Sequence, residues 1–375
     1  MVILNAMPRV LVDMLSYTGT KGGGETYTRE LYRAIGDESS EFEFIGLASK
    51  EGYALDHDWF PGRVIASGIS GENRLSWAVG ELFRVTGWAK RINADLIHSP
   101  MTLGTMRGAV PSVVTMHDMH YWSHPEFMST PLFTGPVRWM ERRASIAATR
   151  IITDSNFSRG EIIHYLGVPP EQLDVVLLAG TPLKGINRSA AAPESKLVLA
   201  MGNRRPHKNW ASLIRALPYV DETIRPQLVI TGSHGEDPLI SVVSETKMQG
   251  WVELKSWVST EEMRGLYERA TILAMPSFAE GFSLPVLEAM MAGLPVMLSD
   301  IPTHHEVGGD SALYFDPASP QSIAEAMAAA VTNPDLLSDL SRRGREQAAL
   351  FSWSLTAEGT LATFRRALSD SKLNQ

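Results

Sequence analysis

The feature that most constrains this chain is a pattern that runs twice: short apolar, β-branched runs separated by longer stretches of helical spacing. In the first half the strand candidates are Arg9–Leu15, Phe42–Ala48, Asp95–His98, Ser112–Met116, Arg150–Ser155 and Asp174–Leu178, with helical spacing over Thr26–Ile35 and Val137–Ala148. In the second half they are Lys196–Met201, Gln227–Thr231, Trp251–Leu254, Ile272–Met275, Pro295–Leu298 and Ala312–Phe315. Helical patterns there cover Trp210–Leu217, Thr260–Arg269, Leu284–Ala292 and Pro320–Thr332. A helix between one strand and the next favours parallel sheets covered by helices on both faces.

The two halves meet near Ala179–Ser195, a stretch rich in Gly, Pro, Ala and Ser without clear periodicity, which reads as a linker. A length of 375 residues suits two domains. Two doubly wound domains so joined are expected to leave a cleft, and in open parallel sheets ligands sit beyond the carboxyl ends of the strands. The residues that follow strands therefore carry the functional argument.

Composition removes several alternatives. There is no cysteine, so disulfides and thiolate metal sites are excluded. A formal net charge of -8 argues against a nucleic-acid-binding surface, so any bound anion must be held locally. The segment Met1–Arg9 lacks the basic start and apolar length of a signal peptide, and no apolar run reaches about 18 residues, the length that crosses a bilayer. A cytoplasmic protein is expected.

Three segments carry chemistry. Gly19-Thr20-Lys21-Gly22-Gly23-Gly24-Glu25 follows the first strand and opens a helix. Glycines there let backbone N–H groups approach an anion, yet Tyr27 stands where a dinucleotide fingerprint needs its third glycine, and no Gly-Lys-Ser/Thr closes a Walker loop. A plain flexible turn is an equal reading of this run. Gly202-Asn203-Arg204-Arg205-Pro206-His207-Lys208-Asn209 also lies between a strand and a helix, and two guanidiniums and an ammonium there suit a diphosphate better than a merely solvated loop. In Ser277–Glu288, Pro285 suits a first helical turn with Ser283 as its cap, and Glu280 and Glu288 flank the helix start. Carboxylates so placed can grip hydroxyls, with free N–H groups between them for a phosphate.

These residues resemble a known family. Glu280-Gly281-Phe282-Ser283-Leu284-Pro285-Val286-Leu287-Glu288 is similar to the E-x7-E signature of glycosyltransferase family 4, the mannosyltransferase-like group 1 enzymes, which are retaining and have the GT-B fold. Gly22-Gly23-Gly24-Glu25 resembles that family's first loop, Thr115-Met116-His117-Asp118 its His loop, and Thr153–Ser158 its Ser/Phe segment. Phe351-Ser352-Trp353 resembles the start of a tail that crosses back to the N-terminal domain. The resemblance spans most of the chain. It implies an α/β GT-B architecture of two Rossmann-like domains facing a cleft: 1–185 for acceptor, 186–352 for nucleotide sugar, and 353–375 as the returning helix.

By the same resemblance, Glu288 binds the nucleotide ribose, Glu280 lies near the transferred sugar, and His117 sits by sugar and acceptor. Lys208 and the pair Arg204 and Arg205 hold the diphosphate and stabilise its charge as it leaves, a large term in catalysis. Gly23 and Gly24 allow close approach of acceptor or phosphate, while Gly281, Phe282, Ser283 and Leu284 line the donor. Domain closure over the donor then excludes water. Many relatives have a single Arg after the glycine, so Arg204 and Arg205 compete for one role. The linker reads Leu178-Ala179-Gly180-Thr181-Pro182 where relatives often have Asn-Gly. The resemblance implies a nucleotide diphosphate sugar as co-substrate (GDP-mannose, from the likeness to mannosyltransferases), no metal, and a glycan or lipid-linked acceptor.

Other signals are weaker. Asp56-His57-Asp58 matches a D-x-D metal motif but reads as a polar surface loop, and His117-Asp118-Met119-His120 with His124 reads as loop packing rather than a metal site. His304-His305-Glu306 follows a strand and is expected to line the donor cleft. Arg138, Arg142 and Arg143 beside Trp139 and Met140 read as core packing with solvated charge, with peripheral membrane contact as the alternative, motivated by the lipid-linked acceptors of many family members. The rival functions are a nucleotide-sugar epimerase, which would need no acceptor, a dehydrogenase, which lacks its glycine fingerprint, and a catalytically silent nucleotide-sugar-binding partner.

Overall fold

The computed structural model describes residues 7–20, 22–38, 41–106, 108–128, 131–183, 185–186, 188 and 196–373. Lys21 of the glycine-rich loop, the Met1–Ala6 stretch and part of the linker expected over Ala179–Ser195 lie outside them. The chain divides into two compact units. The first takes the described residues within Met1–Pro125, Thr130–Leu178 and Ser352–Gln375; the second takes those within Glu126–Ser129 and Ala179–Phe351. The junction at Leu178 precedes the boundary read from composition at 185. One reason is that Gly180 lies against the helix Leu284–Met291 of the second unit: a Cβ on Gly180 would sit 2.9 Å from the Glu288 backbone nitrogen.

The first unit holds seven strands: β1 (Arg9–Met14), β2 (Glu43–Ala48), β3 (Arg63–Ala66), β4 (Leu96–Ser99), β5 (Ser112–Thr115), β6 (Arg150–Thr153) and β7 (Leu173–Val175). All pair in parallel, in the order β3-β2-β1-β4-β5-β6-β7. Central β1 is buried on both faces, with Val10 paired to Phe44 on one side and Leu96 on the other. Near-continuous apolar runs are what a parallel sheet covered on both faces requires. The β3 edge strand escapes sequence reading because none of its four residues is buried.

Helix Gly22–Glu38 packs along the returning helix Trp353–Leu373. Phe364 of the latter stands edge-on to Phe42 (5.9 Å) and His98 (5.0 Å), and the Thr356 hydroxyl donates to the Leu177 carbonyl at 2.8 Å. A separate core of Val114, Met116, Ala144, Ile151, Ile162 and Leu166 forms around helices Pro131–Ala147 and Asn156–Leu166.

The second unit holds β8 (Leu197–Met201), β9 (Gln227–Ser233), β10 (Val252–Ser256), β11 (Ile272–Met275), β12 (Val296–Ser299) and β13 (Leu313–Phe315), again all parallel, ordered β10-β9-β8-β11-β12-β13. Its helices start where local chemistry says they should. Ser259 caps Thr260–Arg269 by accepting from the Glu262 N–H, and Ser319 caps Pro320–Thr332 by accepting from the Ser322 N–H. In each sheet the strand order reverses beside the unit's first strand, between β1 and β4 and between β8 and β11. Ligands collect at such switch points, outside the carboxyl ends of the strands. No described helix is long and apolar enough to cross a membrane.

Candidate active site

In the second unit the loop leaving β8 turns at Gly202, whose φ of +141° favours glycine and whose missing side chain leaves room for Trp210 at 3.3 Å. One 3-10 turn, Pro206–Lys208, then carries the chain into helix Trp210–Ala216. Three hydrogen bonds fix this turn against neighbouring loops. The His207 carbonyl accepts from the Phe278 N–H at 2.8 Å, and the Asn209 amide donates to the Pro276 and Pro317 carbonyls at 2.9 and 2.8 Å. Lys208 is thereby brought to the loop that follows β11.

There its ammonium meets Glu280 at 2.7 and 2.9 Å, and the Ser277 hydroxyl donates to the same carboxylate at 2.5 Å. Burial alone would raise the Glu280 pKa, but the adjoining Lys208 charge outweighs it and holds the carboxyl at about 2. His304, fully buried in helix Pro302–Gly308, belongs to the same cluster. Its Nδ1–H donates to the Ser299 carbonyl at 3.1 Å, and burial pushes the ring down to about 4, so it is neutral at pH 7.

The two arginines of this loop have separate fates. Arg204 donates to the Asp237 carboxylate at 2.8 to 3.1 Å and to the carbonyls of Gly202, Thr231 and Ile230. All five of its N–H groups are thus engaged, and it holds the β8 loop to β9. Asp237 is buried, yet the Arg204 guanidinium keeps its carboxyl below the ordinary range. As placed, Arg204 is a structural pin with no N–H left over for a diphosphate oxygen. Arg205 is exposed, and its side chain makes no hydrogen bond or ion pair among the described residues.

The helix Leu284–Met291 begins after Ser283, but Ser283 does not cap it. Its φ is +125°, and its buried hydroxyl has no hydrogen-bond partner among the described residues. A non-glycine residue in such a backbone region marks stored strain, which clusters at functional sites. The N–H groups of Phe282, Ser283 and Leu284 enter no hydrogen bond among the described residues. Gly281 and half-buried Glu288 complete the segment, with Glu288 one turn into the helix. Sequence spacing alone could show neither the misfit at Ser283 nor the Lys208–Glu280 pair.

The first unit's residues gather at the carboxyl edge of its own sheet. Gly22, Gly23 and Gly24 form the first turn of their helix rather than a loop before it, and Glu25 accepts from the backbone and hydroxyl of Thr18 at 2.5 and 3.2 Å. His117, just past β5, has both ring nitrogens engaged: Nδ1 with Asp154 at 2.6 Å and Nε2 with the Pro100 carbonyl at 2.9 Å. Burial opposes its charge, but the Asp154 carboxylate outweighs this and raises the pKa. As placed, His117 has no N–H left for a ligand. Tyr27 packs edge-on against its ring at 4.8 Å. Asp154 was not singled out from sequence, although an acid directly after a strand is a readable signal, and Tyr27 stood out there only as a departure from the dinucleotide pattern. The Ser/Phe segment serves locally, since Ser155 caps helix Asn156–Leu166 through the Ser158 N–H. Asp56 accepts from the Asp58 N–H in an exposed Asx turn.

Two parallel doubly wound units with these motifs define a GT-B glycosyltransferase, and the comparisons agree. Residues 185–347 match the model of glycosyl transferases group 1, and residues 21–178 that of glycosyltransferase family 4. O-antigen chain mannosyltransferase B of Escherichia coli is 30% identical over 300 residues, covering 75% of this chain and 77% of its own. Sucrose-phosphate synthase from Thermosynechococcus elongatus superposes with a TM-score of 0.76 at 18% identity, covering 97% of this chain and 99% of the other. HepE of Anabaena, solved with UDP-glucose, gives 0.73 at 17% identity over 96% and 100%. The chain belongs to the group 1 glycosyltransferases of family 4.

Proposed function

We propose that this glycosyltransferase moves mannose from GDP-mannose to a hydroxyl of a glycan or lipid-linked saccharide, with retention of configuration. The observation that carries the donor reading is the part-buried Lys208–Glu280 pair beside exposed Arg205, at the carboxyl ends of β8 and β11. An ammonium has three donors, and Glu280 takes two, so one remains for a phosphate oxygen. Arg205 adds a planar fork suited to the same group. The unengaged N–H groups of Phe282, Ser283 and Leu284 are further donors at a helix start. Glu288 takes the ribose hydroxyls and Glu280 the sugar side. The mannosyl choice is supported by the name of the E. coli relative, and a nucleotide diphosphate donor by the UDP-glucose bound to HepE.

In this reading the acceptor oxygen forms its bond to the anomeric carbon on the face from which the diphosphate departs. The bond from that carbon to the phosphate oxygen breaks, and the acceptor proton passes to the departing phosphate. Lys208 and Arg205 stabilise the charge that develops there. His117 would need to release one of its two partners before touching sugar or acceptor. No residue of the described set is assigned to a metal.

The test is thermal stabilisation against a panel of nucleoside diphosphates and nucleotide sugars. A ligand at about 100 times its dissociation constant adds roughly 2.7 kcal/mol. A shift with guanosine diphosphate and GDP-mannose that disappears in Arg205→Ala supports the donor site and its base. A shift with uridine compounds alone overturns the guanosine choice, and none with any of them overturns the donor site.

A further inference from the structure

The register of β5 and β6 sets two titratable side chains side by side at the carboxyl edge of the first sheet. Thr115 pairs with Ile152, so His117 and Asp154 each lie two residues beyond the same rung. The Met116 N–H carries the pairing on by donating to the Ile152 carbonyl at 2.8 Å. Asp154 is 2% exposed, and its Oδ2 meets His117 Nδ1 at 2.6 Å, while its Oδ1 has no hydrogen-bond partner among the described residues. Aspartates that serve the fold beyond other strands hold loop N–H groups: Asp13 accepts from Leu15 at 3.1 Å and Asp237 from Leu239 at 3.0 Å. Asp154 serves the imidazole instead.

The ring's other contact places its protons. The Pro100 carbonyl can only accept, so Nε2, 2.9 Å from it, carries a hydrogen. A neutral ring with that hydrogen would turn a lone pair at Nδ1 toward a carboxylate, so a second proton lies between Nδ1 and Oδ2. We infer that Asp154 is a positioning residue for the transfer: it holds His117 with both ring nitrogens protonated, so that the ring meets substrate through Nε2–H, as a donor to a hydroxyl oxygen and not as a base. The inference rests on the transferase reading above and adds to it the residue that sets the state of His117. The His117 side chain is 17% exposed against 2% for Asp154, so a ligand reaches the ring and not the carboxyl. Burial opposes the ring's charge, and the Asp154 carboxylate outweighs it. The other titratable groups facing the ring do not reverse this. Tyr27, edge-on from helix Gly22–Glu38, is kept a phenol by burial. His98 on β4 is pushed by burial down to about 3 and is neutral, and Asp118 on the same loop adds negative charge that favours the imidazolium. On binding, Nε2–H exchanges the Pro100 carbonyl for a substrate oxygen. No proton leaves the ring, and the acceptor proton still departs with the phosphate.

The full chain, isotope-labelled at its histidine nitrogens, is titrated by NMR, the His117 signals being those lost in His117→Gln. Wild type should show both nitrogens protonated at neutral pH, and Asp154→Asn, whose amide can hold the ring without charge, should show a neutral ring there. Turnover is read as release of nucleoside diphosphate, with water as acceptor, from the nucleotide sugar that gives the largest thermal shift. Asp154→Asn and His117→Gln should each lower kcat about tenfold or more, the worth of a hydrogen bond to a charged group. The double variant should fall no further than His117→Gln, since the two residues act as one unit. The high-pH limb of the turnover profile should move down in Asp154→Asn, and Asp154→Glu should restore part of the rate and of the limb. A neutral His117 in wild type, full turnover in Asp154→Asn or in His117→Gln, or losses that add overturns the inference. The wild-type titration decides the charge state even if a variant fails to fold. The nucleotide thermal shift, measured on the same samples, reports the donor reading separately: it should persist in every variant, and its absence from wild type sinks that reading alone.

Discussion

Removing Lys208 is expected to damage the fold of the second unit as well as its chemistry. In the wild type the Glu280 carboxyl is buried and titrates at about 2 rather than the ordinary 4.5. That difference corresponds to about 3 kcal/mol at neutral pH, present above 4.5 and lost as the pH falls through about 2. Lys208→Met leaves a buried carboxylate with only the Ser277 hydroxyl, and breaking a buried pair from one side costs about 3–5 kcal/mol. Glu280→Gln is gentler, because the Lys208 side chain is 16% exposed and can reach water; about 1–2 kcal/mol is expected. The double variant removes both charges, so the cycle should show a coupling of about 2–3 kcal/mol. Lys208→Met should also recover stability relative to wild type between pH 7 and 5, as its stranded carboxylate takes a proton. Two compact units need not unfold together, so native-state hydrogen exchange of β8 and β11 amides is the suitable assay. A single-variant loss below about 1 kcal/mol, or losses that simply add, would refute the reasoning.

The arginine pair should separate in the opposite way: Arg204→Ala should cost about 3 kcal/mol by stranding buried Asp237, whereas Arg205→Ala should leave the urea midpoint unchanged and weaken nucleotide binding. Loss of stability in Arg205→Ala instead would reverse the two roles. Asp13, whose carboxyl titrates near 7 against 3.8 in the unfolded chain, should progressively destabilise the fold as pH rises from about 4 to 7, by up to about 4 kcal/mol. Asp13→Asn should therefore gain over wild type across that interval and hold the gain above it, as read by urea midpoints at pH 5 and 8; a constant difference would contradict it. The helix Pro131–Ala147 exposes Leu132, Phe133, Trp139 and Ile146 with Arg142 and Arg143, while Arg138 is drawn to the Tyr121 carbonyl. We propose that this face rests on anionic lipid; sedimentation with phosphatidylglycerol vesicles should fall sharply in Trp139→Ser/Arg142→Gln, and unchanged sedimentation would exclude this face.

Much of the architecture was legible because parallel sheets buried on both faces write themselves as apolar runs. Ile272–Met275, Thr260–Arg269 and Pro320–Thr332 agree with their sequence reading to the residue, since apolar runs and serine caps are local signals. The edge strand Arg63–Ala66 was not legible, because an unburied strand carries no such run. Helix Gly22–Glu38 begins earlier than its periodicity, since glycines contribute no apolar face.

The sequence by itself determined the alternation, the chemistry-bearing loops that follow strands and the glutamate signature that places the chain in its family. Only the tertiary structure decided which side chains remain available. Arg204 and Arg205 are neighbours of the same kind in sequence, yet Asp237 takes one and leaves the other exposed. Lys208 and Glu280, 72 residues apart, meet because the Phe278 N–H and the Asn209 amide stitch their loops together. His117 is engaged on both nitrogens by Asp154 and Pro100, and Asp13 is buried with its carboxyl facing the Leu15 N–H and the Ser99 hydroxyl. The physical reason is common to all four: partners are chosen by packing between strands distant in sequence, and burial then sets the charge that each group carries.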